Sequence, residues 1–108
     1  MTDDGADMSE PRINVAGYSF AANKGAIVCK HVAEGQTPVL GYAHEQDGDI
    51  QFVCGAENHP ENDWVLVCLS HIVTTHPDLS SLPRVKPGME ARRDNQNSLW
   101  VTMAIPSE

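Results

Sequence analysis

The residues best suited to chemistry are three cysteines and five histidines, and their spacing falls into recurring pairs. Cys29-Lys30-His31 is a Cys-x-His pair, Cys54 precedes His59 by five positions, and Cys68-Leu69-Ser70-His71 is Cys-x-x-His. Thiolate sulfur and imidazole nitrogen are the donors zinc prefers, and four of them close a structural site. Convergence of Cys29, His31, Cys54 and His59 would clamp the first half of the chain to its middle. The competing interpretation makes Cys54 and Cys68 small buried apolar residues on strands and His59, beside Pro60, an exposed loop residue. A catalytic pair, with His71 or His59 activating Cys54, is disfavoured because acidic surroundings raise a thiol's pKa. No nucleophile elbow, phosphate-cradling glycine loop, dinucleotide fingerprint or zincin helix is present. No enzymatic activity is expected.

A second constellation is acidic. Glu57, Glu61 and Asp63 crowd the stretch before Trp64. Acids rimming an aromatic anchor suit a patch for a basic protein partner. The formal net charge is −8, and no Lys or Arg occurs between Lys30 and Arg84. Such a field repels nucleic acid and attracts cationic partners. No apolar run approaches the ~20 residues of a membrane helix. The N-terminus, Met1-Thr2-Asp3-Asp4, is the opposite of a secretory signal, so a cytoplasmic location is expected. An odd number of cysteines without Cys-x-x-Cys spacing predicts reduced thiols rather than a disulfide framework.

These residues must be positioned by the elements around them. Residues 1–11 read as a flexible acidic arm, and 12–108 as one domain. The run Gln51-Phe52-Val53-Cys54 and the longer Asp63-Trp64-Val65-Leu66-Val67-Cys68-Leu69 read as adjacent strands joined by a polar loop. The second, the most apolar series in the chain, is expected to be a central, buried strand. Asp47-Gly48 between Pro38–His44 and Ile50–Cys54 signals a hairpin, because glycine takes the positive φ such a turn needs. Arg12–Tyr18 suits an edge strand, and Gly25–Val32 a strand whose alternation breaks at Lys30. Ser70–His76 predicts a short helix limited by Pro77, with one or two further helical turns behind it. Met89–Arg93 and Leu99–Met103 predict a closing hairpin. The sum is an α+β fold, a mostly antiparallel sheet of about five to six strands with one or two short helices.

Several of these runs resemble a family of small bacterial proteins. They are Cys29-Lys30-His31-Val32-Ala33-Glu34-Gly35 with Pro38-Val39, Gln51–Gly55, Asp63–Val73, His76-Pro77-Asp78-Leu79 and Pro87–Ala91. The family is the domain of unknown function numbered 2185, and the resemblance covers residues 25 to 103 with the motif order kept. It implies an α+β fold and no assigned catalytic residue. Some of its relatives are proposed immunity proteins of polymorphic-toxin systems. The expectation is therefore a non-enzymatic protein-binding inhibitor, with Glu57, Glu61, Asp63 and Trp64 facing a basic toxin domain. The alternative is a zinc-stabilised structural domain built on Cys29, His31, Cys54 and His59.

Overall fold

A computed structural model of the chain describes residues 11–54 and 64–105. The acidic arm, the acids Glu57, Glu61 and Asp63, and His59 lie outside the described residues. The elements in order are β1 (Arg12–Val15), β2 (Tyr18–Ala21), β3 (Gly25–Cys29), α1 (Lys30–Ala33), β4 (Gly41–His44) and β5 (Ile50–Val53). Then follow β6 (Trp64–Cys68), α2 (Leu69–Thr75), a 3-10 helix (Pro77–Ser81), β7 (Met89–Arg92) and β8 (Val101–Ala104). The fold is α+β, as expected. β1 and β2 form a hairpin of their own, and the other six strands form one sheet in the order β6-β3-β5-β4-β7-β8. Every neighbouring pair in that sheet is antiparallel except β3 and β5, which run parallel.

Period-two alternation sends Ala26, Val28, Ile50, Phe52, Tyr42 and Ala91 to one face of the sheet. Val32 of α1, Leu69 and Ile72 of α2 and Leu79 of the 3-10 helix are buried in the same apolar cluster. The β1–β2 hairpin contributes Val15 and Ala16 to it. The hairpin turns on Ala16 and Gly17, both at positive φ, which matches the right-handed twist of the flanking strands. Tyr18 and Phe20 of β2 sit edge-on to the His44 ring at centroid distances of 5.1 and 5.6 Å. The His44 Nδ1 is 3.1 Å from the Val85 carbonyl, and the Val85 amide donates to Ala16. His44 thus joins the hairpin to the sheet.

The β4–β5 hairpin forms as predicted. Gly48 has φ 99, and the Glu45 amide closes the loop onto the Asp49 carbonyl at 2.8 Å. The alternation that failed at Lys30 ends there, because α1 starts at that residue. The Arg12–Tyr18 strand is instead a hairpin, since Gly17 reverses the chain after Val15.

Two expectations are overturned. β5 and β6 are not adjacent: β3 lies between them, pairing parallel with β5 and antiparallel with β6. The run of 64–68 is not central either. β6 is an edge strand, with Leu66 75% exposed and Cys68 exposed. The central positions belong to β5 and β4. Their fully buried Ile50 and Phe52 alternate with polar or small residues, so local apolarity points to the wrong strand.

A buried arginine ties the C-terminal part of the sheet to the rest. Arg93 has a side chain only 2% exposed. Its Nε and Nη2 both donate to the Val39 carbonyl, Nη1 donates to Gln96, and Nη2 meets the Asp78 carboxylate. The guanidinium also lies 4.2 Å over the Trp100 ring. A rigid fork of donors satisfies such a set where a point charge would not.

Candidate metal centre

The site grows out of the parallel β3–β5 pair. Ile27 is level with Gln51 and Val28 with Phe52. One step further along the same register sets Cys29 beside Val53, and Cys54 follows directly. Cys29 ends β3 in extended conformation (φ −71, ψ 151), and α1 begins at the next residue. That change from strand to helix turns the backbone over the strand end and brings His31 back to the thiols.

The result is convergence. The ligand atoms of Cys29, His31 and Cys54 all lie within 4.8 Å of one another. A tetrahedral zinc, with bonds of about 2.3 Å to sulfur and about 2.0 Å to nitrogen, needs donor separations of roughly 3.5–3.8 Å. Small side-chain rotations close that gap. Cys29 is fully buried, while His31 and Cys54 are half-buried, so the set is enclosed on the strand side and open on the other. Cys54 also lines an open groove of about 780 Å³ whose walls include Leu40, Arg92, Leu99 and Val101.

Burial pushes the Cys29 thiol up, and the neighbouring Cys54 thiol pushes in the same direction, while backbone contacts from Val32 and Cys54 pull back. A buried thiol beside a second sulfur is thereby held toward its protonated form. That is a poor arrangement for a nucleophile and a good one for a cation, whose charge inverts the balance and takes both sulfurs as thiolates.

The other sequence candidates sit elsewhere. Cys68 is exposed on β6, away from this set. His71 is no partner for Cys54: its Nε2 lies 3.4 Å from the Ala33 carbonyl. His76 Nε2 is 2.8 Å from the Val32 carbonyl, tying the end of α2 to α1. Three of the four sequence-predicted metal ligands therefore come together, and the fourth, His59, lies outside the described residues. Of the partner-binding set only Trp64 is described; it is half-buried at the start of β6, directly opposite Cys29. Arg93 escaped the sequence reasoning because a strand-end arginine next to Arg92 reads as surface charge. Its one signal is Trp100, a ring seven residues on that suits a stacked guanidinium.

Among the described residues no helix is long and apolar enough to cross a membrane. No protein-family model, curated protein or solved structure matches the chain. The resemblance drawn from the residues themselves thus carries no family assignment.

Proposed function

We propose that this chain is a small non-enzymatic domain that holds zinc through Cys29, His31 and Cys54. The observation that carries the proposal is the convergence of those three donors within 4.8 Å at the shared end of β3 and β5. The zinc acts as a structural clamp: it joins two strands whose connection is otherwise a long excursion through α1 and the β4–β5 hairpin. Three donors converge among the described residues, and His59, the fourth ligand the sequence offers for a closed structural site, lies outside them.

Native mass spectrometry of protein purified without chelator or affinity metal tests this. The expected spectrum shows one zinc per chain, absent from Cys54→Ser and from His31→Ala. A chelator should lower the thermal midpoint of the wild-type chain and leave that of Cys54→Ser unchanged. A bare chain mass after titration with zinc refutes the proposal.

A protein-binding inhibitor, of the immunity type or otherwise, is the second possibility. The observation favouring it is Leu66 of the edge strand β6, an apolar side chain that is 75% exposed. With a basic partner in hand, changing Glu57, Glu61 and Asp63 together to Lys should slow association and flatten its salt dependence. Binding indifferent to both would remove this version.

A further inference from the structure

We infer that Cys29 and Cys54 form a reversible intrachain disulfide site, closed by a hydroperoxide and reopened by a dithiol. Both are thiols in this structure, and their sulfurs are among the atoms that lie within 4.8 Å of one another. The parallel register explains why they meet. Ile27 is level with Gln51 and Val28 with Phe52, so Cys29 follows level with Val53 and Cys54 lies one residue on. A strand spacing of about 4.8 Å and a rise of about 3.3 Å per residue put the two Cα atoms roughly 6 Å apart. Disulfides span Cα separations of about 4.4–6.8 Å. Closing the bond therefore needs side-chain rotation and no movement of the strands. The contact already exists, since Cys54 acts on the Cys29 thiol as a hydrogen-bond partner and through its charge. The bond requires no empty position at either sulfur, because it replaces that contact.

The third cysteine is out of reach. Cys68 is level with Gly25, four residues along β3 from Cys29, which is about 13 Å along the strand. From Cys54 it is separated by the width of β3. Sequence distance alone favours the opposite choice: Cys54 and Cys68 are fourteen positions apart, Cys29 and Cys54 twenty-five. A chain without its fold closes the shorter loop about twofold more readily. Selective pairing of 29 with 54 is thus a property of the sheet.

With hydrogen peroxide the step balances. One thiol sulfur attacks a peroxide oxygen, the O–O bond breaks, and a sulfenic acid and one water result. The second sulfur then attacks the first, the S–O bond breaks, and a second water leaves. The two thiols give up two electrons and two protons, and the peroxide takes both. Cys29, fully buried, suits the second role. The same sulfurs serve the zinc proposed above, so disulfide and metal exclude one another. The link itself needs only the two sulfurs and does not rest on that proposal.

Hydrogen peroxide treatment of the full chain, then alkylation of the remaining thiols and peptide mass mapping, tests the site. Trypsin with a glutamate-specific protease places the three cysteines on separate peptides. The folded chain should give the 29–54 link in more than about tenfold excess over 54–68, and dithiothreitol should reverse it. In urea the preference should invert to about twofold in favour of 54–68. His31→Ala keeps both sulfurs and lacks one metal donor, so treating it alongside the wild type separates the link from the zinc. A 29–54 link in either folded chain supports the site. Its absence from both overturns the proposal, whatever zinc they carry. A 29–54 yield no higher in the folded chain than in urea overturns it as well.

Discussion

Replacing Arg93 should be among the most damaging single changes in the chain. Arg93→Ala removes four hydrogen bonds, two of them to the Val39 carbonyl and one, to the Asp78 carboxylate, that is also an ion pair. The guanidinium is 2% exposed and Asp78 29%, so the abandoned carboxylate regains part of its hydration while the Val39 carbonyl loses two donors at once. Breaking a buried pair typically costs 3–5 kcal/mol, and the partial exposure of Asp78 points to the lower end, about 3 kcal/mol. For a domain of this size that is a fall in thermal midpoint on the order of 15 °C. Arg93→Lys keeps the charge but cannot reach Val39, Gln96 and Asp78 together, and should still cost about 2 kcal/mol. Asp78→Asn strands the buried cation and should match or exceed the lysine variant. Urea denaturation at neutral pH measures all three. A loss below about 1 kcal/mol for Arg93→Ala, the range of exposed ion pairs, would refute the reasoning.

Two further predictions concern the sheet itself. Tyr42 is 2% exposed, and its hydroxyl has no hydrogen-bond partner among the described residues, so Tyr42→Phe should stabilise the protein by about 1 kcal/mol in the same urea assay. Burial also raises the Tyr42 phenol above its ordinary value of 10.0. Above that pH the unfolded chain releases a proton that the folded chain retains, so stability present below it declines by about 1.4 kcal/mol per pH unit. Tyr42→Phe should remove that component of the alkaline slope, and identical slopes would count against it. A Cβ at Gly41 would stand 2.6 Å from Val53 Cγ2 across the β4–β5 pair. Gly41→Ala should therefore cost about 1–3 kcal/mol, and a double-mutant cycle with Val53→Ala should show strong coupling between the two sites.

How much of this was legible in the sequence depends on the range of the signal. The Asp47-Gly48 hairpin, the break at Lys30 and the short helix before Pro77 are local, and each was visible in a few residues. The joining of Cys29, His31 and Cys54 was visible only as residue types, because the geometry comes from a parallel pairing between strands that are not consecutive in the chain. Strand order was the least legible. Trp64–Cys68 looks like the centre of the sheet and lies at its edge, since apolarity along the run does not distinguish its buried-side valines from Leu66, which is 75% exposed. Arg93 and Asp78 lie fifteen positions apart, and their pairing depends on the path of the chain between them.

The strand order also carries a timetable. The middle of the six-stranded sheet, β3-β5-β4, is made from residues 25–53, and the other three strands of that sheet are encoded later: β6 joins β3, β7 joins β4 and β8 joins β7. Cys54 emerges from the ribosome directly after β5, so the whole Cys29, His31 and Cys54 set is in hand before any flanking strand exists. A zinc captured at that moment would hold β3 beside β5 by ligation and close the long loop between them in a single event. Each strand synthesised afterwards would then find its neighbour already in place, so the nascent sheet would grow outward from its centre in the order of translation.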